Sequence, residues 1–254
     1  MTAVAAVRIA LALLALASIV TALGSFAEVR RDALWDVVRA CVANNAVTGF
    51  AFPCLEVNTS VGEDRGYVIL RRPYGNRDIV LAPTKHVLGI EDPWLQAAGA
   101  PNYFLDAWKA RGFLSGGSSH GSLSHDDIAF AVNSRLSRTQ DLLHIHIGCI
   151  SRAARQAIQS SVANLSETAW TPLNTPIDGF ELWGLKIEQS SLDGINPFRL
   201  VAAGVGDLAP TGLFVGGSQF AEGRDGFVAF AWSDRPSRVL PAERFLDPTC
   251  AHWH

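Results

Sequence analysis

The sequence has one methionine in 254 residues, no long basic run, and a net charge of −3. Without a basic run the chain lacks the electrostatic footprint of a nucleic-acid binder, and any basic site must be local. Charge of either sign is thin, 18% against 48% hydrophobic residues, which excludes a chain too polar to bury a sizeable core. Seven tryptophans beside the single methionine describe a rigid, aromatic-rich interior. No composition shift marks an internal boundary and no convincing repeat appears, so residues 29–254 read as one domain behind a distinct segment, 1–28.

That segment contains no charge from Ile9 to Ala27. A 19-residue helix rises about 28 Å, close to the ~30 Å hydrocarbon layer. A run apolar all round is a poor surface helix. It reads as a single-pass membrane anchor or as a signal peptide with "SFA" before Glu28 as its cleavage site; either way the rest of the chain is exported across the inner or plasma membrane. Four cysteines suit an oxidising compartment. Of their three possible pairings we favour Cys41–Cys54, which is local, with Cys149–Cys250, which ties down the C-terminal tail. Four buried free thiols are the alternative.

The apolar spacing predicts an α+β fold with a mixed or antiparallel sheet. Leu34, Val37, Val38, Cys41 and Val42 recur at helical intervals after Asp32, a candidate cap. "PNYFLDAWKAR", capped at Asn102, and "SRAARQAIQSSVANL", starting at Ser151, are two more helices. "GYVIL", "DIVLAP", "IAFAVN", "LLHIHIGCI", "FELWGLKI", "GLFVGG" and "GFVAFAW" read as strands. Pro73, Gly75 and Asn76 make a turn, and the Gly/Ser-rich stretch 116–124 a loop.

The segment from Asn133 to Ile150 carries the chemistry. In a strand His144 and His146 would share one face while Leu143, Ile145 and Ile147 faced a core. Two histidines at i and i+2 could ligate a metal, but a catalytic zinc needs a third ligand, and His86, His120 and His125 form no ligand spacing. They could equally be hydrogen-bonded residues of a polar sheet face. Their surroundings favour a nucleophile. A neutral imidazole attacks phosphorus and forms a labile phosphoramidate. Asn133, Ser134, Thr139 and Gln140 supply neutral donors for the phosphoryl oxygens, and Arg135 and Arg138 supply charge. No obvious carboxylate pair stands nearby, which suits a pyrophosphate, whose leaving phosphate is a weak base. No metal or other cofactor is called for.

"N-x6-Q-x3-H-I-H-I" resembles the histidine-triad superfamily of nucleotide hydrolases and transferases, and "DIVLAPTKHV", Asp78–Val87, looks like the strand placed before the site in those proteins. The string "AVNSRLSRTQDLLHIHIGCI", with the Cys41–Cys54 spacing, "LAPT", "AWKAR" and "SVANLS", is similar to the CDP-diacylglycerol pyrophosphatase family. The likeness extends to about residue 200. It implies a histidine-triad-like sheet with flanking helices, and a hydrolase that splits CDP-diacylglycerol into CMP and phosphatidate at a membrane through a nucleotidyl-histidine. Lys85 and His86 are possible substrate contacts. The superfamily has three alternate histidines and this chain two. Either Leu142 stands in the first place and His144 is central, or Gly148 stands in the third and His146 is central; the spacing from Asn133 and Gln140 leans to His146. The rival functions are a broader nucleotide pyrophosphatase or cytidylyltransferase, and a binding module that holds a nucleotide or lipid headgroup without turning it over.

Overall fold

The computed structural model describes residues 30–72, 78–115, 123–174 and 176–250. The uncharged run Ile9–Ala27, the turn at 73–77 and most of the Gly/Ser-rich stretch fall outside these residues. Among the described residues no helix is long and apolar enough to cross a membrane.

Among the described residues ten strands form one sheet, and every pairing in it is antiparallel. The strands are β1 (Glu56–Asn58), β2 (Tyr67–Arg71), β3 (Ile79–Pro83), β4 (Ile128–Val132), β5 (Ile145–Ile150), β6 (Thr171–Pro172), β7 (Trp183–Ile187), β8 (Thr211–Gln219), β9 (Asp225–Ser233) and β10 (Leu246–Asp247). They lie in the order β1-β2-β3-β5-β4-β8-β9-β7-β6, with β10 added to β5 beyond the end of its β3 pairing. The α+β reading holds, and the sheet is antiparallel rather than mixed. β3, β4 and β5 are buried along their whole length because both faces are covered.

Four α-helices appear among the described residues: α1 (Ala33–Thr48), α2 (Tyr103–Ala110), α3 (Arg152–Ser161) and α4 (Pro197–Gly204). Asn102 caps α2, accepting the Leu105 amide at 3.3 Å, and Ser151 caps α3, accepting that of Ala154 at 3.2 Å. Asp32 makes no side-chain cap on α1. The Leu34 amide instead donates to Gln140 Oε1 at 2.8 Å, a cap 106 residues away that no local pattern could show. The helix α4 was not legible either, although Asn196 caps it and Pro197 opens it.

The alternation of side chains divides the core. On one face Ile69, Ile79, Leu81, Phe130, Ile145, Ile147, Val215 and Phe227 pack under α2 and α4, with Tyr103, Phe104 and Phe198 buried between. The opposite face carries two separate clusters. One joins α1 to β2 and β3 through Val38, Cys41, Cys54, Val68, Ala82 and Leu142. The other joins α3 and the C-terminal segment to β4, β8 and β9 through Ala131, Ile158, Phe214, Phe230, Trp232 and Phe245. Both expected disulfides are present, Cys41–Cys54 clamping the end of α1 and Cys149–Cys250 closing a span of 101 residues.

Candidate active site

The site begins with register. His146 pairs with Val80 of β3 on one side and Ala131 of β4 on the other. It therefore projects from the two-cluster face, between Val80, which belongs to neither cluster, and Ala131 of the α3 cluster. Leu143, Ile145 and Ile147 point the other way into the α2-covered core, as their alternation predicts. His144 precedes the first residue of β5 by one position, yet its ring still meets that of His146 edge-on, 5.0 Å between centroids.

The two imidazoles differ. His144 is half-buried, and its Nδ1–H donates to the Leu142 carbonyl at 2.7 Å. That bond places the proton on Nδ1 and leaves the lone pair on Nε2. His146 is 3% exposed. Its Nε2 lies 3.3 Å from Glu243 Oε1, outside hydrogen-bond geometry, and its Nδ1 has no hydrogen-bond partner among the described residues. Burial lowers the pKa of both rings below the ordinary histidine value. Glu243 opposes the shift in each case, while Arg72 reinforces it, joined by Arg138 at His144 and by His144 itself at His146. Both rings are therefore neutral at pH 7.

Glu243 belongs to a short 3-10 turn, Ala242–Phe245, just before β10. Burial alone would raise its pKa, but His146, the Asn133 amide, a backbone N–H and Arg72 outweigh that and hold it below the usual carboxylate range. Asn133, at the end of β4, fixes this carboxylate from both sides. Its Nδ2 donates to Glu243 Oε2 at 2.9 Å, and its Oδ1 accepts the Ala242 amide at 2.8 Å. Sequence reading reached Asn133 but not Glu243, which sits in a region without an interpretable pattern; no local signal marks it.

A second acid closes the row. Asp78 is buried, receives Arg72 Nη1 on Oδ2 at 2.7 Å, and leaves Oδ1 without a hydrogen-bond partner. A Cβ built at Gly148 would lie 3.3 Å from Asp78 Cβ and 3.6 Å from Leu246 Cδ1, so the position that could hold a third alternate histidine is already walled.

The proposed donors scatter. Ser134 donates to Asp234 Oδ2 at 2.6 Å and accepts the amides of Leu136 and Ser137. Arg138 is buried, donating to both oxygens of Glu91 and to Asp141 Oδ1, with its guanidinium laid over Gly89 where a Cβ would collide. Gln140 caps α1 and donates to the Arg30 carbonyl. Arg135 and Thr139 are exposed on the same turn. Lys85 pairs with Asp64 at 3.7 Å and lies over the Trp94 ring, and exposed His86 meets Trp35 edge-on at 5.1 Å. The structure thus brings together His144, His146, Asn133, Glu243, Asp78 and Arg72, of which three came from the sequence.

Residues 29–254 match the family model described as CDP-diacylglycerol pyrophosphatase. The chain is 36% identical over 173 residues to a Yersinia pestis protein named "CDP-diacylglycerol pyrophosphatase", a match covering 67% of this chain and 64% of that one. It is also 36% identical over 171 residues to a Mycobacterium leprae (strain TN) protein named "Probable CDP-diacylglycerol pyrophosphatase", covering 66% and 61%. The matched region is thus somewhat under two thirds of each relative's length. With a family match running from residue 29 to the C-terminus, this chain belongs to the CDP-diacylglycerol pyrophosphatase family.

Proposed function

We propose that this protein hydrolyses the pyrophosphate bond of CDP-diacylglycerol to CMP and phosphatidate, in a histidine-triad-like site, through a nucleotide carried covalently on His144. The observation that carries the choice is the hydrogen bond from His144 Nδ1 to the Leu142 carbonyl, which leaves Nε2 deprotonated on the more accessible of the two rings. His146 had the better spacing, but it is almost closed to solvent and faces Glu243.

In the first step His144 Nε2 attacks the cytidylyl phosphorus, an N–P bond forms, and the bridging P–O bond breaks to release phosphatidate. In the second, water attacks the same phosphorus, the N–P bond breaks, CMP leaves, the electron pair returns to Nε2 and the proton given up by the water passes to solvent. Glu243, held by Asn133, supplies the negative charge that offsets the cation on the imidazole pair while the adduct exists. Arg72 gives one N–H to Asp78 and keeps further guanidinium donors for phosphoryl oxygens, and Arg135 and Thr139 reach the substrate from the turn. The two disulfides and the family of the chain support an exported protein working beside a membrane, with Ile9–Ala27 as anchor or leader.

The test is to incubate the purified full chain with CDP-diacylglycerol in detergent and follow CMP, with CDP-choline, ADP-ribose and added glycerol in parallel. Selective CMP release supports this reading. Equal turnover of all three substrates would favour a general nucleotide pyrophosphatase, transfer to glycerol a cytidylyltransferase, and tight binding without CMP a binding module.

A further inference from the structure

We propose that the outer side of α1 and the loop that follows it form a bilayer-docking surface, which seats the protein on lipid beside the histidines. The loop is unusual for a well-held segment. Val47, Phe50 and Phe52 are 87%, 73% and 77% exposed. Apolar side chains this exposed would be expected on a loose tail, but this loop is built rigidly. Asn44 Nδ2 donates to the carbonyls of both Phe50 and Phe52 at 2.9 Å, Gly49 closes α1 in the left-handed conformation, and Cys41–Cys54 fastens both ends. A fold that holds two phenylalanines out in water has a use for them outside itself.

The exposed side of α1 continues the surface. Val38 and Cys41 face the sheet, while Ala33, Val37, Ala40, Ala43 and Val47 face outward. Beside the helix lies a cleft of about 570 Å³ whose apolar wall is Trp35, Val38, Val42, Ala43 and Ala46. A helix apolar on its inner and outer sides has a second apolar environment to meet.

Three observations make that environment a bilayer. The 29 residues before Arg30 contain the 19-residue uncharged run Ile9–Ala27, which ends six positions before α1 begins and, as an anchor, would bring the helix to the bilayer. Exposed Arg39 lies on the N-terminal half of the same helix, and Arg30 and Arg31, paired with Asp36 and Asp141, stand just before it, where cations meet anionic headgroups. And α1 flanks the site: Leu142, whose carbonyl fixes the His144 tautomer, packs in the α1 cluster, and Gln140 caps the helix. A diacyl substrate could keep its chains in the bilayer while its pyrophosphate reaches His144. This last link rests on the proposed reaction; the docking surface itself does not.

The experiment uses the full chain in phosphatidylglycerol–phosphatidylcholine vesicles. A spin label at Val47→Cys should lie below the headgroup level by oxygen accessibility, while one at Ala153→Cys, on exposed α3, reports water. The same contrast decides between a membrane and a protein partner, since only lipid gives oxygen-rich immersion in a purified system. For function, the Phe50→Asp/Phe52→Asp double variant should lose about tenfold in kcat/KM on vesicle-embedded CDP-diacylglycerol while keeping its rate on a short-chain soluble analogue. A label at residue 47 that stays in water, or an equal loss on both substrates, overturns the docking surface. Absence of CMP release from the wild type with residue 47 immersed overturns the reaction and leaves the surface standing.

Discussion

The site is decided by single side chains whose environments diverge. Burial keeps both imidazoles neutral, so the nucleophile needs no deprotonation at pH 7. The acid limb of kcat/KM is therefore expected below pH 6.5, the ordinary histidine range. Glu243 raises the affinity of both rings for a proton, so Glu243→Gln should move that limb lower still. The same variant keeps an oxygen for Asn133 to donate to, so it should lower kcat by about 100-fold with little change in melting temperature. A limb above 6.5 would contradict the burial-neutralised rings, and one unmoved by the substitution would separate Glu243 from the histidines. The shifts also bear on stability. Because the unfolded rings bind protons near pH 6.5 and the folded ones resist, stability is full above that pH and declines as pH falls below it. Urea unfolding of the wild type and of His146→Gln between pH 7.5 and 5.0 measures this; the variant should lose less.

At the scale of elements, the turn between β4 and β5 does structural tasks that its composition disguises. A run of Ser, Arg, Thr and Gln reads as an anion cradle, yet the fold spends Gln140 on α1 and Arg138 on Glu91 and Asp141. The partners lie 47 residues back for Glu91 and 106 back for Leu34, beyond any local pattern. Gln140→Ala should thus cost about 1 kcal/mol of stability, the worth of a helix cap, and leave KM for a soluble substrate unchanged. Arg138→Ala should cost about 3 kcal/mol, since it leaves the Glu91 carboxylate uncompensated, while Asp141 keeps Arg31. Thermal melts and steady-state kinetics of the pair decide between structural and substrate-binding roles. The strands were legible where alternation was strong, as at Leu143, Ile145 and Ile147. The helix α4 was not, because its eight residues fall in a stretch dense with Gly and Pro signals.

For the molecule as a whole, the C-terminal region completes the site. The sequence carried the α+β class, with the sheet open between mixed and antiparallel, and the histidine pair in local alternation, and it favoured the two disulfides from one local spacing and the tie to the C-terminal tail. It could not carry Glu243, which meets His146 only through the segment before β10, or Asp78, which stands beside Gly148 through the β3–β5 register. Cys149–Cys250 and the pairing of Asp247 with Cys149 hold that segment against β5. Replacing both cysteines by serine should remove up to about 4.7 kcal/mol by the loop-entropy model and should lower kcat as well, since Glu243 loses its anchor. An unaltered kcat in the destabilised variant would show that the tail matters for folding alone.

The central claim is that His144 carries the nucleotide. Rapid mixing with CDP-diacylglycerol, followed by an acid-free quench and intact-mass and fragment analysis, tests it directly. A CMP adduct on His144 that persists in His146→Ala and vanishes in His144→Ala is the predicted result; an adduct formed by His144→Ala would contradict it.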